Sequence, residues 1–258
     1  MTRFDFSGKT VMVTGASRGI GLAVAKGFAA AGARLILLAL DEAVHEAAAE
    51  MRKVGREDSR GFVCDIADRE AVRRVFAAVD ALDVLVNNAG LELITPIDAE
   101  GDAVEATFRR IIDINIMGTF YVTRDALPKM RAGSRIVITA SIWAKTAAAG
   151  FSAYCASKHA NLGFTRSLAR ELGPRGIAVN AVCPGFIRTD ASMRSVAAEA
   201  ARTGQSEAEV TADLLRNQAF PSLIEPADVV STYLFLASDL ARDITGQSLH
   251  IDRGDVMD

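Results

Sequence analysis

The sequence predicts a doubly wound α/β fold: a seven-stranded parallel sheet covered by helices on both faces, in a single domain spanning residues 1–258. Three observations carry that expectation. Short runs that are apolar throughout recur along the chain, longer amphipathic stretches separate them, and no repeat, low-complexity tract or Pro/Gly/Ser linker interrupts the series. Strands that are apolar on both faces must be buried on both sides, and helices flanking a parallel sheet provide that burial.

In chain order, residues 10–13 read as a buried strand, followed by a glycine turn and a helix over 19–31. Residues 34–38 form the second strand and 42–54 the second helix. The third strand covers 61–64, and the third helix covers 68–79, where charge and bulk alternate at helical spacing. Residues 82–86 and 134–139 are strands four and five, with a long helical region over 102–130 between them. Residues 152–172 form another long helix, and 177–182 the sixth strand. Residues 189–220 break the alternation: Ala-rich, polar and charged, they are expected as a helical excursion over one sheet edge, the way lids are built. Pro226 opens a late helix where its missing N–H costs nothing. Residues 247–251 close the sheet.

Half of the residues are hydrophobic and the net charge is −3, with no basic run. This argues against a nucleic-acid or anionic-membrane partner. No apolar stretch is long enough to cross a bilayer, and the N-terminus lacks the apolar region of a signal peptide. Three widely spaced cysteines, Cys64, Cys155 and Cys183, fit neither a disulfide framework nor a zinc site. His45, His159 and His250 are scattered and suggest neither a metal nor a triad. A cytoplasmic location is the expectation.

Tyr154-Cys155-Ala156-Ser157-Lys158 carries the chemistry. Tyrosine and lysine four residues apart share a helix face, one turn from each other. A free phenol has a pKa near 10, and an ammonium fixed nearby pulls it down by favouring the phenolate. Such a tyrosine exchanges a proton with an alcohol or alkoxide near neutral pH. The same spacing also arises as an ordinary helix contact.

The first turn reads Thr14-Gly15-Ala16-Ser17-Arg18-Gly19-Ile20-Gly21. Glycines between a first strand and a first helix admit a pyrophosphate close to the backbone, and the helix N-terminus supplies N–H donors and a positive dipole end. The spacing Gly-x-x-x-Gly-x-Gly departs from the commoner Gly-x-Gly-x-x-Gly. Asp65, past strand three, can accept from an adenine amino group or serve as a cap or turn residue. Asn87-Asn88-Ala89-Gly90 ends strand four at the same carboxyl edge, where small residues admit a ribose or simply form a turn.

With these features in order, and with Asn115, Ser141, Pro184-Gly185 and Thr189 at matching spacings, the chain resembles the classical short-chain dehydrogenases/reductases from Gly8 to about Gly254. Residues 244–252 resemble the end of the 3-oxoacyl carrier-protein reductase branch and its sugar-alcohol relatives. The resemblance implies a Rossmann fold and an oxidoreductase that moves hydride between NAD(P) and a secondary alcohol or ketone. Tyr154 is then the general acid/base, Lys158 also holds the nicotinamide ribose, and Ser141 bonds the substrate oxygen. Asn115 would anchor, through its backbone carbonyl, a water linking Lys158 to solvent, and a helix irregularity there would fit that role. Cofactor contacts are implied at Gly15, Ser17, Arg18, Gly19, Ile20, Gly21, Asp41, Asp65, Ile66, Asn88, Ala89, Gly90, Tyr154, Lys158, Pro184, Gly185, Ile187 and Thr189. The hydroxyl of Thr189 and the backbone at Ile187 would grip the carboxamide; Thr189 also suits a helix cap.

Strand two ends Leu38-Ala39-Leu40-Asp41, without the acid or the arginine by which relatives choose between the two cofactors. Arg18 can pair with a 2′-phosphate, whereas Asp41 repels one, and the balance leans to NAD over NADP. Residues 91–95, Ile142, Trp143, Phe186 and the excursion are the expected substrate walls, with Ser141, Trp143, Tyr154 and Phe186 as contacts. Trp143 suits either a ring-capping role or plain core, and Lys145 either steers an anion or is solvated. The excursion is longer than in compact acyl-carrier-protein reductases, although Arg131 and Arg175 can meet an acidic carrier. The resemblance also implies a homotetramer through the two long helices and the C-terminal segment; the apolar Phe164, Leu168 and Tyr233-Leu234-Phe235 fit that, or equally one packed core. Two alternatives stand beside an alcohol dehydrogenase: a 3-oxoacyl carrier-protein reductase, and a non-catalytic dinucleotide sensor on the same fold. An epimerase or dehydratase would need a longer C-terminal substrate domain.

Overall fold

The computed structural model describes residues 4–54, 58–99 and 101–257. The strands are β1 (Thr10–Thr14), β2 (Arg34–Ala39), β3 (Arg60–Val63), β4 (Val84–Asn87), β5 (Arg135–Thr139), β6 (Ala178–Pro184) and β7 (Ser248–Ile251). All pair in parallel, in the order β3-β2-β1-β4-β5-β6-β7. The sequence expectation of a seven-stranded parallel sheet holds, with strand ends shifted by one or two residues.

The helices are α1 (Gly19–Ala30), α2 (Ala43–Lys53), α3 (Arg69–Ala77), α4 (Asp102–Ile112), α5 (Thr119–Ala126), α6 (Ser152–Leu172), α7 (Asp190–Thr203), α8 (Glu207–Leu215) and α9 (Val230–Ala237). Side chains alternate across each strand, so one sheet feeds two cores. Val11, Val13, Leu35 and Leu37 pack with Phe28 and Tyr233 under α1, α2 and α9. Met12, Ile36, Leu38 and Leu85 face the opposite way, against Val72, Phe76, Val122 and Leu168 of α3, α5 and α6. Each fully buried side chain of this size contributes roughly 1.5–3 kcal/mol.

The helical region over 102–130 carries the irregularity expected at Asn115: α4 passes into a π-helical turn at Asp113–Gly118 before α5. One sequence expectation is corrected. Pro226 opens a turn rather than the late helix, because the Asp228 carboxylate accepts from Glu225 N at 2.9 Å and closes that turn first. α9 then starts at Val230. Leu168, Tyr233 and Leu234, which suited either a subunit face or one packed core, are buried within the chain's own cores. Tyr233 is anchored there by a 2.9 Å hydrogen bond to Thr139 Oγ1.

Strand order reverses between β1 and β4, and the crevice outside their carboxyl ends is where open α/β sheets bind ligands. Thr14 Oγ1 fastens the two ends together, accepting from Asn88 N at 3.0 Å and Ala89 N at 2.9 Å.

Candidate active site

At the first turn, Gly15 has φ +66° and its α-carbon region lies against Ala89: a Cβ there would sit 2.9 Å from Ala89 Cα. A Cβ on Gly21 would lie 2.1 Å from Gly15 O. These two glycines therefore serve the closure of the turn on itself and on Asn88-Ala89, and Asn88 Nδ2 donates to Thr14 O at 3.0 Å. α1 starts without a side-chain cap and without an acid in its first turn, so its N–H groups are left to face the cleft.

That cleft encloses about 380 Å³ and is lined by Gly15, Ser17, Arg18, Gly19, Ile20, Gly21, Asp41, Asp65, Ile66, Asn88, Ala89, Gly90, Tyr154, Lys158 and Thr189. Pro184, Gly185 and Ile187, expected with them, line an adjoining cavity of about 390 Å³ instead; Thr189 lines both. At the distal end Arg18 pairs with Asp41 Oδ2, while the buried Asp41 Oδ1 has no hydrogen-bond partner. Asp65 is engaged on both oxygens, accepting from Ala67 N at 2.9 Å and pairing with Arg110 at 2.5 Å. Its turn role is thus realised, and Arg110 joins the cleft wall.

Tyr154, half-buried on α6, borders both cavities. Ser141 lines the second of these and acts to lower the pKa of the Tyr154 phenol, and the Tyr154 ring meets Trp143 edge-on with centroids 5.9 Å apart. Ser141 is held by capping the short turn Ile142–Ala144, its hydroxyl accepting from Trp143 N at 3.1 Å. Lys158 is buried, donates to Thr139 O at 2.8 Å, and has its ammonium 5.4 Å from the Tyr154 ring centroid.

The electrostatics differ from the spacing argument. Burial pushes the Tyr154 phenol up, the Glu92 carboxylate pushes it further, and only the Ser141 hydroxyl opposes them. Burial also pulls Lys158 down to about 8, with Glu92 opposing that fall. The ammonium lies against the ring and the Thr139 carbonyl, so its pull on the phenolate does not prevail. Glu92 itself is raised by burial, against the Ser195 hydroxyl and the charges of Lys158 and Arg194.

Asn115 lies in the π-helical turn, the irregularity that the family resemblance leads one to expect. Its carbonyl accepts from Thr119 Oγ1 at 2.9 Å. Its side chain accepts from Leu91 N at 2.7 Å and donates to Leu91 O at 3.0 Å and to Ser157 Oγ at 2.9 Å.

The second cavity combines Ser141, Trp143, Phe151, Tyr154 and Phe186 with α7 and α8, whose Val196 and Val210 form its apolar roof. The excursion is thus helical and covers the site, as expected. Lys145 lies elsewhere, on a groove beside β7, and takes no part here. Sequence reading did not single out Glu92, Arg110 or Arg194; the one available signal was an acid inside the apolar run Leu91-Glu92-Leu93-Ile94.

A family model described as Enoyl-(Acyl carrier protein) reductase matches residues 15–255. The 3-oxoacyl-(acyl-carrier-protein) reductase FabG of Rickettsia conorii is 36% identical over 256 residues, 98% of this chain and 99% of its own length. The chain belongs to the short-chain dehydrogenase/reductase family. Another member, D-beta-hydroxybutyrate dehydrogenase of Cupriavidus necator, is 34% identical over 96% of this chain and 98% of its own. Among solved structures, a short-chain dehydrogenase from Burkholderia cenocepacia in complex with NADP superposes with a TM-score of 0.85, at 33% identity over 97% of this chain and 98% of the other.

Proposed function

We propose that this short-chain dehydrogenase/reductase interconverts a secondary alcohol and a ketone, with Tyr154 as general acid/base. The observation that carries the reading is the place of Tyr154: it borders both cavities and shares one of them with Ser141. In reduction, Ser141 and Tyr154 hold the carbonyl oxygen, and Tyr154 donates its proton as negative charge develops there. In oxidation Tyr154 takes the proton back. The raised affinity of the phenol for its proton favours the donor role at neutral pH. Lys158, charged below about 8, steadies the developing phenolate. Pro184, Gly185, Ile187 and Thr189 position the reacting ring, and Trp143 and Phe186 the substrate.

NAD(P) suits the first cleft, because the unpartnered Asp41 Oδ1 is a buried acceptor for a ribose hydroxyl. When bound, this cofactor supplies or accepts the hydride. The glycine turn and the start of α1 hold its phosphates, and Ile66, Asn88, Ala89 and Gly90 flank its ribose and base. Because Arg18 is already paired with Asp41, NAD is preferred over NADP. The same reading extends to a cytoplasmic homotetramer; Phe108, exposed on α4, supports an apolar contact on that helix. Among the described residues no helix is long and apolar enough to cross a membrane.

The test is a panel of acyclic ketones, sugar alcohols and acyl thioesters, followed by cofactor absorbance with NAD and NADP. Turnover of a ketone or polyol supports the reading. Turnover of thioesters alone favours the 3-oxoacyl carrier-protein reductase reading, which the Rickettsia relative supports. Cofactor binding with no turnover anywhere on the panel favours a sensor.

A further inference from the structure

The loop after β4 is pinned at two points. Asn115 holds Leu91 by its N–H and carbonyl, at 2.7 and 3.0 Å. Four residues on, Thr95 N donates to Gly150 O at 2.6 Å, and Thr95 Oγ1 accepts from Ala153 N, at the start of α6, at 3.2 Å. Gly90 brings the loop so near α6 that a Cβ there would lie 3.5 Å from Lys158 Nζ. Glu92 sits between the two anchors and lines both cavities, one with Ser195 of α7 and the other with Lys158. A carboxylate is thereby held in the wall of the cleft that Tyr154 and Lys158 also line.

We propose that Glu92 is a positioning residue whose negative charge sets the pH at which the Tyr154–Lys158 pair releases its proton, and with it the pH range of reduction and oxidation. This rests on the reading of Tyr154 as the general acid/base. A carboxylate opposes proton loss from either neighbour: it repels a phenolate and stabilises an ammonium. The coupled pair therefore shifts in one direction, whichever member gives up the proton. Burial has opposite effects on the two, so the charge of Glu92 adds to burial at Tyr154 and offsets it at Lys158. The other groups facing this cluster are Arg194 from α7, toward Glu92; Cys183 from β6, toward Lys158; and Cys155 of α6 with Tyr233 of α9, toward Tyr154. Arg194 is the one among them that shares the cationic role of Lys158.

The experiment follows the ¹³Cε resonance of Lys158, assigned by its loss in Lys158→Met, through a pH titration of the cofactor-free protein. Glu92→Gln keeps the size and hydrogen-bonding capacity of the side chain but removes the charge; Glu92→Ser is a second uncharged variant. Either should lower the midpoint by at least half a pH unit, a roughly threefold loss of proton affinity. Glu92→Asp should stay near wild type, as should Ser195→Ala, which removes the hydroxyl that shares the cavity wall with Glu92 and keeps the charge. The acid limb of the kcat/KM profile for alcohol oxidation should move down with the midpoint in Glu92→Gln. An unmoved Lys158 midpoint in folded Glu92→Gln overturns the proposal, and so does an equal shift in Ser195→Ala. The midpoint requires neither cofactor nor substrate, so its failure is distinct from failure of the oxidoreductase reading.

Discussion

Asn115 grips Leu91 by both main-chain groups, accepting from its N–H at 2.7 Å and donating to its carbonyl at 3.0 Å. The same amide donates to Ser157 Oγ, which in turn donates to Tyr154 O at 2.8 Å. One buried side chain in a π-helical turn thus ties the loop that carries Glu92 to the helix that carries Tyr154 and Lys158. The π turn matters because it turns a residue that would disfavour a regular helix into an inward-facing clamp.

Asn115→Ala should therefore lower both stability and turnover. It leaves the part-buried Leu91 N–H and carbonyl without their partner and takes from the Ser157 hydroxyl one of its two hydrogen bonds, at roughly 1–3 kcal/mol for each group that finds no water. A thermal melt should fall by several degrees, at about 2–4 °C per kcal/mol for a chain of this size. Turnover should fall more than cofactor affinity. A variant that melts like wild type with full kcat would mean that the clamp is dispensable.

Tyr154→Phe removes the phenolic oxygen and keeps the ring that packs edge-on against Trp143 and over the Lys158 ammonium. Cofactor affinity, read by fluorescence titration, should stay within a few-fold. Turnover should fall at least 100-fold, since general acid/base help is typically worth about 10²–10⁴. Retention of near-normal turnover would remove Tyr154 from the chemistry.

How far the sequence reached is seen in the same residues. The parallel sheet was legible because β1, β2, β5 and β6 are apolar on both faces, and the glycine turn because its spacing sits between a strand and a helix. The Tyr154–Lys158 pair was legible because helical spacing alone brings the two together. The sign of the Tyr154 shift was not, since it depends on burial and on Glu92, which reaches the pair from a loop after β4. Arg110 and Asp65 likewise meet across 45 positions of sequence, and no local pattern announces the pair. Leu168, Tyr233 and Leu234 suited a subunit face as well as the core in which they lie, because periodicity does not tell one contact from the other.

Lys158 makes stability depend on pH. Its folded pKa, pulled down by burial to about 8, lies below the unfolded value of about 10.5. Below pH 8 both states are protonated and the fold bears the full cost of a buried ammonium. As pH rises through 8 the folded protein sheds that proton first, so between 8 and 10.5 the unfolded state binds more protons and stability gains with pH. Lys158→Met should therefore melt higher than wild type at pH 7, by on the order of 1–3 kcal/mol, and that advantage should shrink toward pH 10. Melts of the cofactor-free proteins at pH 7, 8.5 and 10 provide the measurement; a constant difference across that range would show that Lys158 does not change charge within it.

Asp41 provides the last prediction. One of its oxygens is held by Arg18 and the other is a buried acceptor without a donor, so the carboxylate both occupies the nearest cation and offers a site to a ribose hydroxyl. On the proposed placement of the cofactor, a 2′-phosphate would meet the opposite conditions: a negative charge facing it and a guanidinium already engaged. Asp41→Ser should remove the repulsion and release Arg18 to pair with the phosphate. The ratio of kcat/KM for NADP to that for NAD should then rise at least tenfold, about 1.4 kcal/mol of discrimination. Arg18→Ala added to Asp41→Ser should cancel most of that gain, because the released cation is its source. If the ratio stays fixed in Asp41→Ser, the 2′ position of the ribose lies away from the Arg18–Asp41 pair, and selectivity between the two cofactors is set elsewhere in the cleft.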